Sequence, residues 1–230
     1  MKGNAASRLW RVFVAPVETF REIQDDPRWV LAFVLLWVLA SISAFLLISR
    51  VDFTEMVRQQ LEAQGQQVPA NLESSARMIR GCSTAGTFLG PPIFYLVIAA
   101  AFLLFNLLGG ELSYKRSLAI TVHGLMPQAL GSLLAIPVIL SRDSFTPEEM
   151  QSASFLYSNL GFLAPEGAKP WLLALLGKID VFTLAALLLL AIGFHVAGKV
   201  PRARAFAGVF GLWILAVAVQ VGLAAMRGVR

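Results

Sequence analysis

The sequence predicts an all-α polytopic membrane protein: a bundle of five transmembrane helices preceded by an amphipathic interfacial helix. Two observations carry this. Hydrophobic residues make up 57% of the 230 positions and charged residues only 14%, against roughly 25% charged in soluble domains. So few charges could not cover a water-facing surface. Second, the apolar residues are gathered into continuous Leu- and Ala-rich runs, of the length of about 20 residues that a helix needs to cross a bilayer. A barrel would show alternating segments of about ten residues instead.

The N-terminal arm, residues 1–28, comes first. Leu9, Trp10, Val12, Phe13, Val17, Phe20 and Ile23 are interleaved with Arg8, Arg11, Arg21 and Glu22. Pro16 suits the first turn of a helix running to about Asp26. An arginine-bearing amphipathic stretch ahead of a span is expected in the lipid interface, as an anchor or as a docking surface for a cytosolic partner. The arm lacks the apolar run of a cleaved signal peptide.

The membrane domain is expected over 29–226, with spans at about 29–49, 84–108, 118–140, 171–197 and 205–226. Arg28 and Arg50 bracket the first, which is free of charge. Gly90-Pro91-Pro92 predicts a kink or a late helix start in the second, since proline removes a backbone donor. Pro127 and Pro137 predict a bent third span. In the fifth, Ala207, Gly208, Gly211 and Ala216 offer a face for close helix packing.

Two connections are long. After the first span, Phe53, Met56, Val57 and Leu61 recur at helical spacing and predict a short helix up to Gly65. After the third, Ser144 or Thr146 would cap a helix starting at Pro147, with Glu148 and Glu149 in its first turn. The other two connections, 109–117 and 198–204, are short and basic, carrying Lys115, Arg116, Lys199, Arg202 and Arg204. That density of cations predicts a cytoplasmic N-terminus and, with five spans, an external C-terminus.

The net charge of +5 resides in clusters beside the spans rather than in a stripe, which argues for membrane topology and against nucleic acid. The single cysteine, Cys82, excludes an internal disulfide and a CxxC site.

Ionisable groups inside spans are functional candidates. Glu111, His123 and His195 lie towards one face, and two imidazoles with a carboxylate match the ligand count of a catalytic zinc site. No HExxH spacing ties them together, and each histidine could equally bond a neighbouring helix or reach headgroups. Lys178 and Asp180 lie towards the opposite face. Asp180 is expected to bond a Ser, Thr or Arg from elsewhere, with Arg142 the leading candidate. Asn106, Gln128 and Gln220 complete the polar set. The sequence has no GxSxG, Walker loop, GxGxxG after a strand or HExxH, so no catalytic or cofactor-binding residue is assigned and no cofactor is expected.

The segments APVETFREIQDDPRW, GGELSYKRSLAITVHGLMPQALGSLLAIPVIL and KIDVFTLAALLLLAIGFHVAGKVPRARA together resemble bacterial members of the Yip family, the Ypt- or Rab-GTPase-interacting membrane proteins. The resemblance implies a five-helix polytopic protein with a cytosolic N-terminus. Eukaryotic relatives bind prenylated small GTPases and each other. The arm here is only about 28 residues, without their long acidic or aromatic domain, which argues against the GTPase role. Fourteen arginines against five lysines suggest a bacterial source.

The expected function is a non-enzymatic scaffold or accessory subunit for a membrane partner, for a second copy of the chain, or for lipid organisation. The alternatives are a small transporter or channel using Asp180 or His123 and His195, and a metal-dependent membrane enzyme.

Overall fold

The computed structural model describes residues 4–63, 65–67, 69, 71–145, 149, 153–165 and 167–227. The arm forms two helices, α1 (Ala5–Val14) and α2 (Pro16–Asp25). Asn4 caps α1 by accepting from the Ala6 N–H, and Pro16 opens α2, where a missing N–H costs nothing. Then follow α3 (Val30–Ser49), α4 (Phe53–Ala63) and α5 (Leu72–Ala101), which tightens into a 3-10 segment over Phe102–Leu108. Helices α6 (Tyr114–Gly124) and α7 (Met126–Leu140) follow, and later α8 (Pro170–Lys178), α9 (Val181–Val196) and α10 (Arg202–Arg227).

Among the described residues, four stretches are long and apolar enough to cross a membrane: Val30–Ser49, Leu72–Leu108, Tyr114–Leu140 and Arg202–Met226. The run expected at 171–197 is instead two helices broken at Ile179–Asp180, of which α9 has 16 residues. The third stretch bends at Leu125, between α6 and α7, one residue before Met126-Pro127. This is the expected proline effect. The helix proposed from Pro147 falls on residues largely outside those described.

The second stretch departs from a late start. Helix α5 begins at Leu72 and continues without a break past Pro91 and Pro92. In a regular helix the residue at position 92 would donate to the carbonyl of Phe88, and proline cannot. The Trp37 indole N–H, from α3, donates to that carbonyl at 2.7 Å. A neighbouring helix thus replaces the lost donor, which lets proline sit inside a lipid-facing helix.

Helix α9 is central, touching α2, α6, α7 and α10, while α3 lies between α5 and α7. Its contact with α6 depends on glycine. A β-carbon at Gly124 would lie 2.6 Å from Leu190, and one at Gly193 would lie 2.7 Å from both Ile120 and Phe20. The main core includes the three rings of Phe102, Phe105 and Phe194, with centroids 4.4 to 5.3 Å apart. Phe105 also fills the space beside Gly208. Ala207, Gly211 and Ala216, expected to share that packing face, are exposed. A smaller cluster of Ala135, Ile139, Phe145 and Phe155 closes the other end.

Candidate functional site

Three constructions hold the polar side chains that the sequence singles out. The first clasps the two short turns together. Gly109 ends the 3-10 segment at φ 89°, a left-handed conformation suited to glycine. Beside it, a β-carbon on Gly110 would come within 2.8 Å of Val200 and 2.9 Å of the Phe105 carbonyl. The Glu111 N–H donates to the Gly198 carbonyl at 2.9 Å, and Lys199 Nζ donates to Glu111 Oε2 at 2.6 Å. The hydrogen bond and charge of Lys199 hold the Glu111 carboxyl below the usual carboxylate range. Asn106 closes its own turn, donating to the Leu112 carbonyl at 3.0 Å and accepting from the Leu112 N–H at 2.7 Å. His195 Nδ1 meets the Val200 carbonyl at 2.9 Å.

The second construction is the arm. Arg8 is 1% exposed. Its Nε reaches Glu22 Oε2 at 3.2 Å, and Nη1 donates to the Asp26 carbonyl at 2.7 Å. Arg11 takes the other Glu22 oxygen at 2.5 Å, and Arg28 pairs with the Asp26 carboxylate at 2.7 Å. Burial raises the Glu22 carboxyl, but the hydrogen bonds and charges of Arg11 and Arg8 prevail and hold it below its ordinary value. Val12, Phe20 and Ile23 are fully buried. The arm therefore turns an apolar side onto the protein, while Trp10 and Val14 of α1 stay exposed. The burial of Arg8 is what the sequence pattern does not disclose. The signal that could have found it is the acidic pair Glu22 and Asp26, a complementary set for Arg8 and Arg11 one helix away.

Between the arm, the start of α3 and α6 lies a groove of about 480 Å³, with Arg28, Trp29, Leu31, Val34, Lys115 and His123 among its lining residues. His123 is 2% exposed, and its Nδ1 lies 2.8 Å from the Ala119 carbonyl. A carbonyl only accepts, so Nδ1 carries the hydrogen. This leaves Nε2 without a partner among the described residues.

The third construction stands at the opposite end. Asp180 is the N-cap of α9: Oδ1 accepts from the Thr183 N–H at 2.8 Å and Oδ2 from the Ser158 hydroxyl at 2.6 Å. The expected Arg142 partner is occupied elsewhere, pairing with Glu149 at 2.8 Å and lying over the Phe145 ring. A serine and a helix terminus serve Asp180 instead. Gln128 donates to the Thr183 hydroxyl at 3.1 Å, joining α7 to α9. Lys178 ends α8 and has no ion-pair partner among the described residues.

Glu111, His123 and His195 do not converge. Helices α6 and α9 are neighbours, as a shared site would require. The contacts of Gly124 with Leu190 and of Gly193 with Ile120 set their register. It puts the two histidines about 7 Å apart along the axis. His195 is exposed, His123 is buried at the groove, and Glu111 is spent on Lys199. Among the described residues no group of three metal-ligating side chains comes together.

Long apolar helices, a proline-orphaned carbonyl served from a neighbouring helix and caps formed within the chain define a polytopic helical membrane protein. The chain belongs to the Yip1 family, matching the Yip1 domain over residues 10–223. It is 23% identical over 203 residues to "Membrane protein YknW" of Bacillus subtilis (strain 168), covering 84% of this chain and 80% of that protein. It is also 32% identical over 66 residues to "Uncharacterized protein MJ0794" of Methanocaldococcus jannaschii, covering 28% of this chain and 47% of the relative. No solved structure matches significantly.

Proposed function

We propose that this protein is a non-enzymatic scaffold or accessory subunit of a bacterial cytoplasmic membrane, acting by lateral contact with a membrane partner. One observation carries the reading: most of the polar side chains singled out in the apolar segments are engaged in holding the chain together. The exposed Gln220 and the unpartnered hydroxyl of buried Ser41 are exceptions among the described residues. Asp180 caps a helix, Asn106 closes a turn, Gln128 links two helices, and both histidines bond backbone carbonyls. A transport path would instead need such groups to face a water-filled passage. Meanwhile α3, α5 and α10 present broad apolar faces outward, including Val97, Ile214 and Leu215.

The topology in this reading has five crossings, the fourth shared by α8 and α9. Helix α9 alone spans about 24 Å, short of a hydrocarbon core of about 30 Å. Helix α8 packs on α10 and supplies the remainder. The clasped turns, being joined through Glu111 and Lys199, share one side. Their cations support a cytoplasmic assignment for that side, with the N-terminus there and the C-terminus outside.

Photo-crosslinking from Gly211 and Ala216 in native membranes, followed by mass spectrometry, tests the scaffold reading. One dominant membrane-protein adduct, or a dimer of the chain, supports it. Substrate flux in proteoliposomes that Asp180→Asn abolishes would replace it with the transport reading.

A further inference from the structure

We infer that the groove between the arm, α3 and α6 is a binding site for one anionic phospholipid. The groove has an amphiphile's polarity. Arg28 and Lys115, both exposed, are among its lining residues, and Leu31 and Val34, both on α3, supply apolar wall. Its length follows from the helix: Lys115 and His123 are eight residues apart on α6, about 12 Å of rise. The space of about 480 Å³ thus runs from the start of a span into its apolar part.

Charge decides the class of lipid. Arg28 spends one edge of its guanidinium on Asp26 and is still 63% exposed. Lys115 is exposed and has no ion-pair partner among the described residues. The lining residues of the groove include two cations, Arg28 and Lys115, and no carboxylate. A phosphate that carries its own ammonium, as in a choline lipid, brings no net charge to offset that excess. A lipid with a net negative headgroup does, and basic recesses beside spans are suited to such headgroups. His123 supplies the second, independent sign of an occupant. It is 2% exposed, lines the groove, and keeps Nε2 unpartnered among the described residues. A ring nitrogen there suits the glycerol-ester region of a seated lipid, reached through water, better than an acyl chain alone.

This site stands apart from the scaffold reading, and either can fail without the other. The test uses the purified full chain in mild detergent, with native mass spectrometry of phosphatidylglycerol and phosphatidylcholine of equal acyl length. Phosphatidylglycerol should be retained preferentially, by about fivefold for each of the two cations. Lys115→Glu should remove most of that preference. Leu31→Trp, which fills the groove from an exposed position, should lose the lipid with unchanged helix content. Equal retention of both lipids by the unaltered chain would overturn the inference, as would a preference that survives Lys115→Glu. Displacement of the lipid by millimolar inorganic phosphate would show a free-anion site instead and would also overturn it.

Discussion

The indole N–H of Trp37 donates to the carbonyl of Phe88 at 2.7 Å, the carbonyl that Pro92 leaves without its regular helical donor. Lipid offers no replacement hydrogen bond, so an orphaned carbonyl on this outward surface is costly. Trp37→Phe should lower stability by about 1–3 kcal/mol. Pro92→Ala returns the donor within α5. In that background the same Trp37→Phe change should cost markedly less. Thermal unfolding in detergent of the four proteins of this cycle reads the coupling; additive effects would mean the indole acts only by packing.

The buried Arg8 makes Glu22 a pH-sensitive residue. Glu22 is held below the ordinary carboxylate value, so its contribution is fully present above about pH 4.5, the ordinary value. It is lost as pH falls further, through the lowered folded-state value. Unfolding should therefore become easier below about pH 4.5, with the arm released first. Glu22→Gln should flatten this dependence and weaken the arm already at neutral pH. Hydrogen–deuterium exchange of α1 and α2 across about pH 2.5–6, corrected for the intrinsic exchange rate at each pH, provides the measurement. Arg8→Met should be tolerated better than Glu22→Ala, because the latter strands a buried cation whereas the former removes it.

How far the sequence is legible depends on the range of the interaction that fixes each feature. Apolar run length is local, and the segments at 29–49, 118–140 and 205–226 appear as helical stretches with little change. Pro127 is local too, and the bend beside it is where its missing donor puts it. The late start considered at Pro91-Pro92 does not occur, and the bond that serves the carbonyl left by Pro92 comes from Trp37, 55 residues earlier, which no local pattern signals. Asp180 reads locally as an acid that needs a Ser, Thr or Arg from elsewhere, and a serine, Ser158, does serve it rather than Arg142. Its role as a cap emerges only once the chain breaks at Ile179 and Ser158 comes beside it. The Glu111, His123 and His195 trio failed to form for a similar reason. Depth can be counted from sequence, but the direction each side chain faces is set by helix rotation, here by Gly193 and Gly124 against their partners.

Capping and transport make opposite forecasts for Asp180. Asn is as good an N-cap as Asp, so Asp180→Asn should leave the melting temperature nearly unchanged. Asp180→Leu should cost about 1–2 kcal/mol through the lost cap, with the Ser158 hydroxyl left unpaired as well. A membrane phenotype that follows stability, mild for Asn and severe for Leu, would agree with the cap. A complete loss of function in a fully stable Asp180→Asn protein would sink it.

The arm and the bundle are one body only while Gly193 lacks a side chain. A β-carbon there would fall 2.7 Å from both the Phe20 ring and Ile120 Cγ2, closer than real contacts allow. Phe20 and Ile120 are fully buried, so neither has room to retreat, and α2 must move away from α9. Gly193→Ala should cost about 1–3 kcal/mol through overpacking. Because α2 carries Glu22, its displacement should also release Arg8 and open the arm to trypsin. Phe20→Leu in the same chain shortens the obstructing ring and should recover part of the loss. If Gly193→Ala melts like the unaltered protein and its arm stays protected, Phe20 is not what the glycine accommodates.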